Sequence, residues 1–362
     1  MQSIIAKIAK GQKTWKDLTW EEAKQAMRLL VEGRATPAQV GAFLVAMRLK
    51  MESVAELAAF TSAAREYVEP LPLPPQLPLV DLPTYAGKQD TFHAAIAASI
   101  VAAAGGAAVL MHGHEGIPGR PGTAAVLTKL GLPVDFEPKQ VAEELARRGF
   151  AYLDIALYHP PVARFLELRE ELGVRNFFHP VARMMNPARA QSQVIGLTHP
   201  PYFDKTAEAL AMLGCQRALI LRGVEGEPEL SIASATKVLE IRDERLIPLT
   251  IHPKDVGLPL RSFREMAGFS PSMVDREAAL LRDVLRNEVR GGQQDWVVFN
   301  AAMLLYAAGK ASTFAAGVPF AREVIESGAA AQKLSELAST DRPGRTCAAS
   351  RAGTEPRERT TS

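Results

Sequence analysis

The 362-residue sequence predicts an α/β protein with a small helical domain and a large α/β domain built on a mainly parallel central sheet. Three observations carry that expectation. Residues 1–68 contain successive helix-start signals, residues 69–83 form a proline-rich crossover, and short apolar runs then alternate with longer segments of helical spacing to about residue 330. Such alternation favours parallel strands covered by helices.

In the first domain, Thr19-x-x-Glu22 is a capping box, and Gly33 can end the helix that follows it. Thr36-Pro37-Ala38-Gln39 joins a cap, a proline at the first helical position and a reciprocal glutamine, and Ser53-x-x-Glu56 repeats the box. The crossover EPLPLPPQLPLVDLP (69–83) cannot continue a helix, and its apolar end, Leu77 to Leu82, reads as the entry strand of the next domain. Ala94 to Met111 carries no charge and mimics a membrane span. Alanine contributes little transfer energy, however, and Gly105-Gly106 breaks the run, so a buried helix followed by a buried strand is expected. AAVLM (107–111), RALILRG (217–223) and RLIPLTI (245–251) read as strands, and Pro138–Arg148 and Phe203–Leu213 as helices. Further helices are expected over Asp275–Glu288, Asp295–Ala308 and Val318–Leu337, making 69–338 the large domain. Residues 339–362 hold little apolar content and read as a disordered tail.

Apolar residues at 47% and charged residues at 23% exclude a globally disordered or fibrous chain. With 42 Lys and Arg against 40 Asp and Glu, bulk charge announces no polyanion partner, so nucleic-acid binding needs a local patch. Cys215 and Cys347 make no disulfide framework, and no secretion signal is legible, so a cytoplasmic location and no membrane contact are expected. His112-x-His114 places two imidazoles at strand spacing, without a cysteine or carboxylate pair nearby to complete a metal set.

The segments GRATPAQVGAFLVAMRLK (33–50), ALYHPPVARFLELREELGVRNFF (156–178), NPARAQSQVIG (186–196) and FNAAMLLYAAGKAS (299–312) resemble, in that order, the anthranilate phosphoribosyltransferase family, glycosyltransferase family 3. The resemblance spans roughly residues 1–338 and implies a nucleoside phosphorylase/phosphoribosyltransferase-like fold. It also implies that an insertion around 160–190 joins the helical domain, and a homodimer formed through those domains.

The departures from the family fall where its chemistry is done. Its GTGGD loop, whose glycines let backbone N–H groups approach phosphates, corresponds to Pro83, Thr84, Tyr85, Ala86 and Gly87. Its N-x-S-T pattern corresponds to His93-Ala94-Ala95-Ile96, and the hydroxyls are absent. Its K-H-G-N-R segment corresponds to Met111-His112-Gly113-His114-Glu115, so a carboxylate stands for a cation. Its metal-binding Asp-Glu pair corresponds to Pro228-Glu229. A charge-assisted phosphate contact contributes about 1.5–3 kcal/mol, so phosphoribosyl pyrophosphate is not an expected ligand and no cofactor is expected.

LPTYAGKQDTFHAA (82–95), GVRNFFHPVARMMNPA (173–188) and LTHPPYFDKTAEAL (197–210) are similar to a branch of the family, the YbiB-type proteins, that lacks the GTGGD loop and binds single- and double-stranded nucleic acid. Local charge agrees. Between Arg175 and Arg222 lie six cations against two carboxylates, with Phe177, Phe178 and Tyr202 among them as candidate base-stacking rings, and residues 1–17 add four lysines against Asp17. The expected function is nucleic-acid binding with little sequence preference, with Lys88, Arg175, Arg183, Arg189 and Lys205 as contacts and no catalytic residue. The alternative is a pentosyltransferase acting on an aromatic acceptor, with His159 and Arg175 for the acceptor and Glu229 for Mg2+. A scaffold or small-molecule binder is the third reading.

Overall fold

The computed structural model describes residues 1–339 apart from 11–13, 86, 87, 89, 116–121, 224, 270 and 271. The proposed tail thus lies, but for Ser339, outside the described residues. Four helices come first: α1 (Gln2–Ile8), α2 (Trp20–Val31), α3 (Pro37–Lys50) and α4 (Val54–Arg65). Thr19, Thr36 and Ser53 each close the reciprocal box with Glu22, Gln39 and Glu56, so the three starts read from capping boxes are starts in the fold. Glu56 does more than cap: its buried carboxylate also takes the Lys50 ammonium at 2.7 Å and the Leu18 N–H at 2.8 Å.

The chain then runs β1 (Leu79–Thr84), α5 (Ala94–Ala104), β2 (Ala108–Gly113), α6 (Thr123–Leu130), α7 (Pro138–Arg148) and β3 (Phe150–Asp154). It continues through α8 (Ile155–Tyr158), α9 (Pro160–Leu172), α10 (Phe178–Arg183), β4 (Ser192–Gly196), α11 (Phe203–Met212) and β5 (Arg217–Arg222). It ends with β6 (Thr236–Arg242), β7 (Arg245–Ile251), α12 (Val274–Leu285), α13 (Gly292–Ala307), α14 (Phe314–Glu326) and α15 (Ala329–Ala338). The expected single helix over 318–337 is two: Gly328, at φ +81°, takes the left-handed conformation that ends a helix and turns the chain.

The seven strands form one sheet in the order β3-β2-β1-β4-β5-β6-β7. The first five are parallel, while β6 and β7 are an antiparallel edge hairpin whose turn residues, Asp243 and Glu244, both have positive φ. Alternation along the strands splits the apolar residues between two cores. Val109, Met111, Leu219 and Leu221 face α5 and α12–α15; Ala108, Leu110, Ala218 and Ile220 face α1–α4, α7 and α9–α11. Helices α9 and α10 thereby share one core with the N-terminal helices. Among the described residues no helix is long and apolar enough to cross a membrane.

Pro83 and Thr84 belong to β1 itself, opposite His112 and Gly113 of β2, rather than to a loop. A proline is tolerated there because the β1–β4 ladder reaches only Asp81, so no partner strand calls on the missing N–H.

Candidate anion-binding cleft

Strand order reverses between β1 and β4, and open α/β sheets hold their ligands at the carboxyl ends of strands beside such a switch point. A cleft of about 570 Å³ lies there, between the residues following β1, β4 and β5 and those around α3, α9 and α10. Five cations line it, Arg48, Lys88, Arg169, Arg175 and Arg183, against Asp90, Glu225 and Glu227. Gly196 lets the β5 loop close on β4: a Cβ there would lie 1.9 Å from the Pro228 carbonyl oxygen.

Of the five residues expected to contact nucleic acid, three line this cleft, Lys88 among them, and Arg189 is the one placed far from it. Arg175 and Arg183 line the cleft. Arg183 donates to the His179 carbonyl at 3.2 Å, and burial pulls its pKa down to about 10. His179 beside it is pushed down to about 3, by burial first and then by Arg183, Arg169 and Arg175, so it stands neutral among cations. Arg189, exposed, lies at the opposite end of the sheet with Arg65 and Arg217. Lys205 sits beside the cleft, its ammonium 5.6 Å from the Tyr202 ring centroid and donating to the Glu52 carbonyl.

Lys88 is buried and already neutralised, unlike a free phosphate contact. Its ammonium pairs with Glu229 and, at 3.1 Å, with Glu227, and lies 4.6 Å from the centroid of the Trp296 ring. Burial alone would depress it, but the two carboxylates hold it above its ordinary value. Burial raises the Glu229 carboxyl, and one ammonium shared with Glu227 offsets that only in part.

The other oxygen of Glu229 accepts the Ala95 N–H at 3.1 Å, in the first turn of α5. Just before that helix, Glu277 takes both the N–H and Nδ1 of His93. At α6, Glu115 accepts the N–H groups of Gly122 and Ala124 at 2.9 and 2.7 Å. Helix N-termini and their free N–H groups attract anions, and here three side-chain carboxylates occupy them.

Tyr85, at the centre of the loop-equivalent segment, turns inward. Its hydroxyl meets His112 Nδ1 and the Tyr158 hydroxyl, both at 2.8 Å, while His112 Nε2 lies 3.1 Å from Asp81. Ala86 and Gly87 lie outside the described residues. His114 turns elsewhere, to Asp154 at 3.3 Å and Glu167 at 3.2 Å, and the described residues contain no cluster of three or more metal-ligating side chains.

His159 is a structural residue, against the acceptor role the alternative gave it. It is buried, its Nδ1 accepts the Val162 N–H at the start of α9, and its Nε2 lies 3.1 Å from the Ala64 carbonyl. Phe177 and Phe178 are likewise core, stacked at centroid distances of 4.4 Å on Phe60 and Phe165 respectively, and cannot receive a base. Of the three candidate stacking rings only Tyr202 reaches the cleft. Arg48, Arg169, His179 and Glu227 were not singled out from the sequence; each comes from a different segment, and only the fold makes them neighbours.

The helical bundle domain of the glycosyl transferase family matches residues 2–68, and the α/β domain of that family matches residues 79–331. The anthranilate phosphoribosyltransferase of Haloarcula marismortui is 36% identical over 338 residues, covering 93% of this chain and 99% of its own. That of Methylibium petroleiphilum is 35% identical over 328 residues, covering 90% and 94%. The crystal structure of the Thermus thermophilus anthranilate phosphoribosyltransferase superposes with a TM-score of 0.82 at 33% identity, covering 93% of this chain and 98% of that one. The chain therefore belongs to the glycosyl transferase family that includes the anthranilate phosphoribosyltransferases.

Proposed function

We propose that this chain is a member of the family branch that has given up phosphoribosyl pyrophosphate and magnesium, and that its cationic cleft binds DNA or RNA phosphates with little sequence preference. One observation carries the reading: the Lys88 ammonium lies between Glu227 and Glu229 while Glu229 also holds the Ala95 N–H. A magnesium diphosphate needs free carboxylates around the metal and free N–H groups for the phosphates. Here each already has a counter-group from within the chain, and Pro228 supplies no second carboxylate. The residues do not fit the metal. Glu277 at His93 and Glu115 at α6 support the same conclusion from separate elements.

Extended polyanions suit the cleft because its cations run from exposed Arg48 at one edge to enclosed Arg183. A single carboxylate needs only one of them; successive phosphates use several. Tyr202 supplies a partly exposed ring beside them for stacking. A homodimer through the helical domains is part of the proposal. Val45 and Leu49 of α3 are 38% and 70% exposed, and a two-fold axis would present the cleft twice.

Fluorescence anisotropy of a labelled single-stranded oligonucleotide across a salt series tests the reading, with phosphoribosyl pyrophosphate plus Mg2+ as competitor. Binding should weaken log-linearly with salt, ignore the competitor, and lose about 1.4 from its salt slope in the Arg175→Gln, Arg183→Gln double variant. Absence of binding at low salt, or displacement by micromolar competitor, refutes it.

The transferase reading has its own support in Arg175, which the cleft retains, and in full-length similarity to the enzymes above. It predicts Mg2+-dependent consumption of phosphoribosyl pyrophosphate with anthranilate, abolished in Arg175→Ala. No turnover at high protein concentration removes it.

A further inference from the structure

At the other end of the sheet, under the amino ends of β4 and β5, a second cavity of about 830 Å³ opens between α4, the 186–191 loop and the β6–β7 turn. Three guanidinium groups converge on it, those of Arg65, Arg189 and Arg217, and none has a carboxylate partner among the described residues. Arg65 gives its Nε and one terminal nitrogen to the Met184 carbonyl, and Arg217 gives a terminal nitrogen to the Tyr306 carbonyl at 2.7 Å. The Arg189 side chain has no partner at all among those residues. A fourth, Arg242, is neutralised by Glu240, and Asp243 is the one carboxylate in the described lining.

Backbone geometry holds this arrangement in place. Asn186 and Arg189 both have positive φ, at 45° and 50°, and the Asn186 side chain fixes the loop by accepting the Ala190 N–H at 2.7 Å and donating to the Ala190 carbonyl at 2.9 Å. Positive φ is uncommon for arginine, and the loop so shaped places Arg189 in the same lining as Arg65, close enough to act on its charge. Like charges brought together are unfavourable: burial lowers the Arg65 pKa and Arg189 adds to the effect, against an opposing pull from the buried Asp81 carboxylate, which lies outside the lining. Gln193, also in the lining, keeps its Oε1 buried and without a partner while its Nε2 lies 3.1 Å from Cys215 Sγ. Gln191, Gln216 and Ser312 add polar side chains to the lining, partners for hydroxyl groups.

We infer that this cavity is a second anion site, separate from the cleft, for a small phosphate monoester whose remaining body is hydroxylated. Three guanidinium groups against Asp243 leave an excess of about two positive charges, the charge of a phosphate monoester at neutral pH. Arginine forks match phosphate oxygens in geometry, and the volume lies within the range of small-ligand pockets. A ribose 5-phosphate or a nucleoside monophosphate presents this shared chemistry, a dianion next to free hydroxyls. The inference does not depend on what the first cleft binds.

Isothermal titration calorimetry on the full chain tests it, with ribose 5-phosphate, adenosine monophosphate, inorganic phosphate and uncharged adenosine as four separate titrants. Both esters, or one of them, should bind, with inorganic phosphate at least tenfold weaker and adenosine silent. Which ester binds tighter distinguishes a sugar phosphate from a nucleotide site. Arg189→Glu, an exposed substitution that breaks no side-chain contact, should weaken the ester at least tenfold, whereas Arg183→Gln in the other cleft should leave it within twofold. Heat from neither ester at millimolar concentration overturns the inference. So does binding that Arg183→Gln removes and Arg189→Glu spares.

Discussion

Replacing Lys88 by methionine keeps the length of the side chain and removes its charge, which isolates the ammonium's role. In the folded protein Glu227 and Glu229 then face each other with no cation between them, and Glu229 is 3% exposed. Removing one partner of a buried ion pair costs about 3–5 kcal/mol, because the other charge stays buried and uncompensated. At about 2 °C per kcal/mol for a chain of this size, the melting midpoint should fall by about 6–10 °C at pH 7.5. The pH dependence fixes the cause. Glu229 already has a raised pKa, from burial first, and loss of the ammonium raises it further. A carboxyl whose folded pKa exceeds its unfolded one is fully favourable only when protonated, and its penalty grows as pH rises through the folded value. The deficit of Lys88→Met relative to the parent chain should therefore shrink as pH falls toward 5. Scanning fluorimetry of both proteins at several pH values measures it. A midpoint within about 2 °C of the parent at pH 7.5, or a deficit that widens toward acid, would refute the claim that Lys88 is the internal counter-ion of this pair.

Two further outcomes follow from the same geometry. Glu115→Ala strips acceptors from the Gly122 and Ala124 N–H groups and should cost about 1 kcal/mol, the usual effect of losing a helix cap, with faster amide exchange confined to α6. His114 has a raised pKa, chiefly from its hydrogen bond to Asp154 against an opposing burial effect, so its contribution to stability is present below the ordinary value of 6.5 and is lost as pH rises through the folded one. The stability difference between the parent and His114→Gln, read from urea midpoints, should accordingly be larger at pH 6 than at pH 9.

Capping boxes are local, and that is why α2, α3 and α4 could be read from four residues each. Strands β2, β5 and β7 were legible as apolar runs. β3 and β4, of five residues each, and β6, whose TKVLEIR mixes charges with apolar residues, gave no comparable signal, because their identity comes from neighbours in the sheet. The site divides in the same way. That Glu115 stands where a cation is expected was visible in the sequence; that it caps α6 was not, since the two donors it meets lie seven and nine residues along the chain. The expected grouping of Arg183 with Arg189 failed for a topological reason. The loop between α10 and β4 carries the chain from the carboxyl end of the sheet to its amino end, so six residues of separation become opposite faces of the domain.

Relatedness at 36% identity and the changed chemistry proposed above are compatible because they rest on different residues. The family frame is carried by capped helices, two cores either side of the sheet and close backbone approaches such as Gly196 against Pro228, all indifferent to what lies in the cleft. The internal pairings around the cleft and the adjoining helix starts are correlated in sign. Backbone N–H groups that could receive phosphate receive Glu229, Glu277 and Glu115, and the carboxylates that could receive a divalent cation receive Lys88. Random loss of a ligand site would leave buried donors and acceptors unpaired, which is costly at each one. At these positions the proposed replacement of an external ion by an internal group of the same charge leaves the Ala95, His93, Gly122 and Ala124 N–H groups and the Glu229 carboxylate each paired within the chain. Under the proposed function, that substitution makes the donor half of the cleft a structural ion network and leaves phosphate binding to the arginine half.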